Sequence, residues 1–329
     1  MIKYEEIRSV HLEISTRCNA ACPECPRNFH GVNILDDFPL TDLKLEQVQQ
    51  IFPPSFIKQL TKIYINGNYG DFVTASDGIE IVEYFRSVKS TLKIEISTNA
   101  SAKPKIWTRL GELKINVLFR LDGLKDTHHL YRQNTDFDLI IENAKNFIAA
   151  GGYAVWAMIP FDHNRHQIKE CEQLAKKLGF AKFLITDAGR NSSVVFNKDK
   201  VFTHTIGNYQ GSTNFDELYS NYNTPKNQSI IMLNNTVSKS NIDCYSTKHK
   251  EIYVSANGEV YPCCWMGFYP NYSPNSIRNL QIAPLIHENN ALEVGLESAV
   301  KWFDKIDATL KCNSIKDGRL YICNEVCGV

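Results

Sequence analysis

The sequence predicts an α/β fold built on a parallel sheet, and three observations predict it. First, strand-like and helix-like segments alternate six times over about 180 residues with short links, the pattern of a parallel β/α array. Second, polar residues gather at the C-terminal tips of four strands: a cysteine loop after Ile14, then Asn66–Asp71, Ser97–Asn99 and Asp122. In α/β barrels this is the face on which sites are built. Third, the pattern fails from about Gly189 to Asn241, and a smaller unit with six of the ten cysteines follows. Right-handed crossovers leave two outcomes for the first part, an open doubly wound sheet or one that curls toward a barrel.

Each element has a local reason. Val10, Leu12 and Ile14 alternate as a first strand. Leu43 to Ile51 has helical spacing with Thr41 as its expected N-cap, and Pro53-Pro54 stops it. Lys62–Ile65 is a strand running into the turn cluster Asn66-Gly-Asn-Tyr-Gly-Asp71. Ile79 to Val88 is helical, Leu92 to Ile96 a strand ending in Ser97-Thr98-Asn99, and Pro104 to Leu110 a short helix. Ile115 to Leu121 is a strand that ends at Asp122-Gly123, and the helix Asp138 to Ala150 is closed by Gly151-Gly152. Tyr153 to Phe161, Arg165 to Leu178 and Lys182 to Thr186 complete the alternation, with a further helix expected near Phe215–Tyr222. Glu251–Val254 and Glu259–Tyr261 flank Asn257-Gly258, a strong hairpin signal. Ala291 to Ile306 reads as one amphipathic helix. The expected organisation is residues 1–188, a connecting segment 189–240, and a C-terminal domain 241–329.

Composition excludes several classes. Lys plus Arg and Asp plus Glu balance at 36 each, so no strong attraction to nucleic acid or an anionic membrane is expected. The N-terminal residues lack a secretory h-region, and no apolar run approaches a membrane span; the longest is Tyr153 to Phe161. Ten cysteines without an export signal point to metal or redox chemistry in a soluble, cytoplasmic protein.

The cysteines carry the chemistry. Cys18, Cys22 and Cys25 stand at C-x3-C-x2-C spacing on one loop. Three thiolates cannot close a structural tetrahedral zinc site, but they suit a [4Fe–4S] cluster with one iron left open to a small molecule. The bland alternatives are a zinc loop completed from elsewhere and buried thiols acting as small hydrophobes. This loop after a first strand resembles the signature of the radical S-adenosylmethionine (SAM) superfamily, with Glu24 where that signature usually has an aromatic residue. The resemblance implies a partial (β/α)6 barrel and SAM chelating the open iron through its amino and carboxylate groups. It implies that one electron cleaves SAM to methionine and a 5′-deoxyadenosyl radical, which abstracts hydrogen from a substrate. An electron donor such as flavodoxin or ferredoxin follows from the same resemblance.

At the other tips the readings divide. Gly67 and Gly70 let the backbone approach a ligand, and Asn66, Asn68 and Asp71 suit an ammonium group, or the stretch is only a turn. Its position resembles the tip that binds the SAM amino group in radical SAM enzymes. Ser97 and Asn99 match the ribose and carboxylate contacts of similar enzymes, or cap a helix. Arg132 resembles an arginine that pairs with the SAM carboxylate, and Asp122 is a substrate contact, a proton acceptor or a turn cap. His128 and His129 lack the partners a metal site needs.

In the C-terminal unit, Cys244 and Cys263 flank the expected hairpin and Cys323 and Cys327 sit on a terminal loop. Together they can enclose one auxiliary [4Fe–4S] cluster, with zinc as the alternative. The C-x9–15-G-x4-C element and the late C-x3-C resemble twitch and SPASM domains, and the count favours the one-cluster twitch form. Cys264 or Cys312 could replace a ligand, and Cys171 reads as a buried thiol in a helix. The implied enzyme performs a net oxidation or modification of an unidentified peptide or small molecule. No recognisable peptide-binding domain precedes the barrel, which leans slightly away from leader-peptide recognition. Two rivals remain: a redox-neutral epimerase or mutase, and a non-catalytic iron–sulfur or zinc module on nucleic acid.

Overall fold

A computed structural model describes residues 1–33, 39–186, 192–222, 236–268 and 277–329, with residues 231 and 233 besides. Its strands, in chain order, are β1 (Ser9–Leu12), β2 (Asn28–Phe29), β3 (Val32–Asn33), β4 (Lys62–Ile65), β5 (Lys93–Thr98), β6 (Asn116–Arg120), β7 (Tyr153–Met158), β8 (Lys182–Ile185), β9 (Ser192–Phe196), β10 (Phe202–Gly207), β11 (Glu251–Val254) and β12 (Val260–Tyr261). The chain divides into two compact units. One is Met1–Glu13, Leu43–Ile63 and Ser220–Val329; the other is Ile14–Asp42 and Tyr64–Tyr219.

The second unit holds the β/α array. β5, β6, β7 and β8 are parallel neighbours in that order, with Ile96 opposite Val117, Val117 opposite Ala154 and Ala157 opposite Leu184. Helices Ile106–Glu112, Phe137–Ala149 and Ile168–Leu178 cross between them. Their apolar faces bury Trp107, Phe147 and Ala175 alongside Phe119 and Trp156 of the strands. Burying each large aromatic supplies about 1.5–3 kcal/mol, which holds the strand tips at fixed heights. The Trp156 indole donates to the Leu121 carbonyl at 2.9 Å and satisfies its one polar atom. Cys171 is buried on the helix Ile168–Leu178, as expected, and burial pushes its thiol up to about 12.

Three elements of this unit escaped the sequence reading. Lys125–Tyr131 is a helix, Asn28–Asn33 forms the small hairpin β2–β3, and β9–β10 is an antiparallel hairpin inside the expected connecting segment. Residues 189–191, 223–230, 232, 234 and 235 of that segment lie outside the described residues. The helix expected near Phe215–Tyr222 is present with those bounds.

In the first unit β1 runs parallel to β11, with Val10 opposite Ile252, and β11 pairs antiparallel with β12. Gly258 turns this hairpin at φ +83°, where a Cβ would also lie 2.8 Å from Leu292. The helix expected from Leu43 starts later, at Leu45, with Lys44 as N-cap and its N–H donating to Gln47 Oε1 at 2.9 Å. Thr41 is not that cap; its N–H donates to Thr16 Oγ1 within the other unit. Pro53-Pro54 ends this helix and also starts the next, Pro54–Gln59, since proline suits the first helical position. The single helix expected from Ala291 to Ile306 is three, Ala291–Val294, Leu296–Ala299 and Phe303–Leu310; Gly295 at φ +77° makes the first break and a turn at residues 300–302 the second. Cys323 and Cys327 lie on a helix, Tyr321–Cys327, and not on a terminal loop.

Candidate functional site

The cysteine loop is pinned before it presents any thiol. Ser15 Oγ donates to Asp42 at 2.6 Å, the Thr16 N–H donates to the Thr41 carbonyl, and the buried Arg27 donates to the Thr16 carbonyl at 2.6 Å. The tip after β4 docks directly on this loop. A Cβ at Gly70 would stand 1.7 Å from the Ser15 carbonyl oxygen, so only glycine permits the approach. The Asp71 N–H then donates to the Arg17 carbonyl at 2.8 Å. Gly70 thus serves the meeting of two loops as well as the cavity wall.

Cys18, Cys22 and Cys25 line one cavity of about 210 Å³ together with Asn66, Gly67, Asn68, Gly70, Asp71, Ser97, Asn99 and Arg132. Every cofactor-binding position expected at the strand tips therefore shares a wall with the three thiols. Asp122 does not line it. Its carboxylate is fully buried, taking the Ile159 N–H at 2.7 Å and Arg132 Nε at 2.6 Å, so it stands behind Arg132.

Hydrogen bonds fix the wall. The Asp71 carboxylate accepts from Thr98 Oγ1 at 2.5 Å, the Asn99 N–H at 2.8 Å and the Val73 N–H at 3.1 Å. Burial pushes its carboxyl up from the usual range, while these three donors and Arg132 pull it back. Ser97 Oγ accepts from Arg120 Nε at 2.8 Å, which leaves its own hydrogen to donate. Asn99 Nδ2 donates to Asn19 Oδ1 at 2.9 Å and lies 3.7 Å from Cys18 Sγ, and Arg132 Nη1 lies 3.7 Å from Cys22 Sγ. Burial tends to lower the Arg132 guanidinium, but Asp122 and Cys22 outweigh it and raise it. Burial, Asp71 and the neighbouring thiols push the Cys18 thiol far above its usual range. As a free group it stays protonated.

Thr98 and Arg120 are wall-fixing residues that the sequence reading did not single out. Thr98 sat in plain view between Ser97 and Asn99, and Arg120 was signalled only as a charge at a strand end. His128 is buried. Its Nδ1 accepts from the Asp122 N–H at 3.1 Å, and burial lowers its pKa to about 4.

The second cysteine group lies within the first unit. Cys244, Cys263, Cys323 and Cys327 line one cavity, walled by apolar groups that include Ile242, Pro262, Trp265, Met266, Ile306 and Ile322. Cys323 and Cys327 are one helical turn apart and share a face. Cys327 is brought to Cys244 because the chain end pairs with the segment before it: the Asp243 N–H donates to the Cys327 carbonyl at 2.8 Å, and Ile242 bridges Gly328. Burial, with neighbouring thiols, pushes Cys263 and Cys323 well up. Cys264 and Cys312 do not line this cavity. Burial, then Glu251, raises Cys264 to about 12, and Cys312 Sγ lies 3.6 Å from the Ala308 carbonyl. Among the described residues, no three His, Cys, Asp or Glu side chains are grouped as ligands of a single metal ion.

No family model and no curated protein matches the chain. Solved structures do. SuiB from Streptococcus suis bound to precursor peptide SuiA matches with a TM-score of 0.55 at 16% identity, over 97% of this chain and 77% of that one. A histidine-tagged anSMEcpe with bound AdoMet matches with a TM-score of 0.53 at 15% identity, over 95% of this chain and 85% of that one. Native anSMEcpe with AdoMet and the Cp18Cys peptide matches with a TM-score of 0.53 at 13% identity, over 95% and 88%. The chain has the α/β fold of these radical SAM proteins. No helix among the described residues is long and apolar enough to cross a membrane.

Proposed function

We propose that this chain is a radical SAM enzyme, with a [4Fe–4S] cluster on Cys18, Cys22 and Cys25 and SAM against the strand tips. The observation that carries the reading is the shared wall: three thiols and three strand tips open onto one cavity. The donor set fits the group. Three N–H donors lie at the sulfurs of Cys18 and Cys22: the Ala20 N–H and Asn99 Nδ2 at Cys18, and Arg132 Nη1 at Cys22. When bound, the cluster and SAM supply one-electron cleavage of the sulfonium and hydrogen abstraction from a substrate.

The chain's own residues bind and orient. Asn66 and Asn68, with the backbone around Gly67 and Gly70, offer acceptors to an ammonium group. Asp71 spends its carboxylate on joining the second and third tips, so it positions the wall and adds negative potential beside the ammonium. Ser97 donates its hydroxyl to a ribose or carboxylate oxygen, held for that by Arg120. Arg132 keeps further N–H groups beyond those on Asp122 and Cys22 for the SAM carboxylate. Asp122 acts on the reaction through Arg132.

The donor set of the second cavity supports one auxiliary [4Fe–4S] cluster on Cys244, Cys263, Cys323 and Cys327: four thiols in an apolar wall would leave no iron for substrate. Such a group would take an electron from a substrate radical, which favours net oxidation over an epimerase or mutase. A peptide substrate is supported by the bound peptides of SuiB and anSMEcpe. Flavodoxin or ferredoxin would supply the priming electron.

The test is anaerobic reconstitution with dithionite and SAM. The protein should release 5′-deoxyadenosine, and Cys18→Ala, Cys22→Ala and Cys25→Ala should each abolish it. Release at the normal rate from any of the three would overturn the reading.

A further inference from the structure

Arg132 is held by its backbone, by its side chain and by the ring beside it. Its backbone N–H donates to the His128 carbonyl at 2.9 Å, and its own carbonyl accepts from Thr135 Oγ1 at 2.5 Å. His128 Nδ1 accepts from the Asp122 N–H, so its proton is on Nε2 and donates to Thr135 Oγ1 at 3.0 Å. With its pKa lowered to about 4 by burial, the imidazole stays neutral and this assignment holds across the working pH range. Asp122 in turn grips Nε at 2.6 Å, and the Tyr131 ring lies 5.4 Å below the guanidinium carbon. The direction of Nη1, at 3.7 Å from Cys22 Sγ, follows from these restraints.

Asn99 is fixed in the same manner. Its Oδ1 accepts the Ser101 N–H at 2.8 Å and its Nδ2 donates to Asn19, which leaves the second Nδ2 hydrogen toward Cys18 Sγ at 3.7 Å. Cys18 Sγ thus faces the Ala20 N–H at 3.4 Å as well as Asn99 Nδ2, and Cys22 Sγ faces Arg132 Nη1; of these donors, Asn99 and Arg132 are the side chains.

We propose that Arg132 and Asn99 set the reduction potential of the cluster held by Cys18, Cys22 and Cys25, with Asp122, His128 and Thr135 as the frame that aims Arg132. This rests on the cluster assignment above and adds a role to Arg132 that precedes SAM binding. Reduction adds one negative charge to the cluster. A buried guanidinium and an amide N–H at the sulfurs stabilise that charge more than the oxidised state and raise the potential. Arg132 has the larger effect because it brings a full charge, and Asn99 the smaller because it brings only a dipole.

The experiment is an EPR-monitored redox titration of the reconstituted full chain without SAM. The signal of the first cluster is identified in parallel samples by its response to added SAM. In Arg132→Gln the ratio of reduced to oxidised cluster at a fixed poise should fall about tenfold, which is 59 mV for a one-electron couple. Arg132→Lys, which keeps the charge and loses the fork, should fall less, and Asn99→Ser by about threefold. Iron content accompanies each titration. An unchanged ratio in Arg132→Gln at full iron content overturns the proposal. If that variant loses the cluster, Arg132→Met, which also removes the charge, decides in the same way. Loss in both would make Arg132 a structural support and overturn it equally. Failure of the unsubstituted chain to bind iron at Cys18, Cys22 and Cys25 would instead overturn the functional reading beneath it.

Discussion

Cys18, Cys22 and Cys25 share their cavity with two guanidiniums, one carboxylate and the carboxamides of Asn66, Asn68 and Asn99. Cys244, Cys263, Cys323 and Cys327 share theirs with Ile242, Pro262, Trp265, Met266, Ile306 and Ile322. Both groups hold buried thiols with raised pKa values. What differs is the rest of the wall. A polar wall with three thiols suits a charged ligand, whereas an apolar wall with four thiols offers a substrate no polar group, and this contrast supports the division of labour proposed above.

Separate removal of each group breaks the comparison most sharply. Cys263→Ala or Cys323→Ala should cost about four irons per chain while 5′-deoxyadenosine release persists. Substitutions at Cys18, Cys22 or Cys25 should cost a similar amount of iron and all of the release. Iron analysis with chromatography of the nucleoside separates the outcomes. Loss of release in the Cys263→Ala variant at retained fold would tie SAM cleavage to the second group and dissolve the division of labour.

Gly70→Ala is the next largest effect, and it falls on the first cavity alone. The added Cβ meets backbone, the Ser15 carbonyl at 1.7 Å, which no side-chain rotation relieves. Overpacking of this kind costs about 1–3 kcal/mol, and here the upper end is expected. Denaturant unfolding of the variant measures it. Iron bound at Cys18, Cys22 and Cys25 should fall as the tip lifts from the loop, and iron at the other four cysteines should not.

Much of this site was legible because the chemistry is local in sequence. C-x3-C-x2-C, Asn66–Asp71 and Ser97–Asn99 each sit on one strand tip, and the α/β pattern says that tips converge. The Asn257-Gly258 hairpin was legible for the same reason. What the sequence hid is tertiary. β9 is buried on both faces from Ser193 to Phe196, so it shows no alternation, and β10 is largely exposed and reads as polar. Gly295 interrupts an apolar-periodic run, and only its φ of +77° shows the break. Asp122 looked like a site residue because strand tips carry sites; only its distances to Ile159 and Arg132 reveal that its carboxylate is already committed. Cys323 and Cys327 carried an unread signal, since a four-residue spacing is one helical turn.

His128 sharpens the comparison through pH. Its pKa is lowered by burial from 6.5 to about 4. The folded state therefore resists a proton that the unfolded chain accepts, and stability is complete above about pH 6.5 and falls as pH drops toward 4. Across that window the loss is about 3 kcal/mol for this one group. In His128→Gln, which keeps an acceptor for the Asp122 N–H, the pH dependence of urea unfolding between pH 7 and 5 should flatten. An equally steep profile in the variant would place the titration elsewhere.

The smallest effect tests the apolar cavity by its scaffold and leaves its thiols in place. Asn324 is fully buried on the helix that carries Cys323 and Cys327. Its Oδ1 accepts from the Lys239 N–H at 2.8 Å, and its Nδ2 donates to the Val237 carbonyl at 3.1 Å. The carboxamide thus ties the helix to the segment 237–239, which leads to Cys244. Asn324→Ala leaves two backbone groups without their partner, at a cost of about 1–3 kcal/mol. Local unfolding of residues 237–244, read by hydrogen exchange, should quicken, and iron at the four cysteines should be lost faster to a chelator. Release of 5′-deoxyadenosine should stay at its original rate, because none of these bonds touches the first cavity. Chelator-resistant iron at all four cysteines in this variant would show that the thiols and their cluster hold the segment without Asn324.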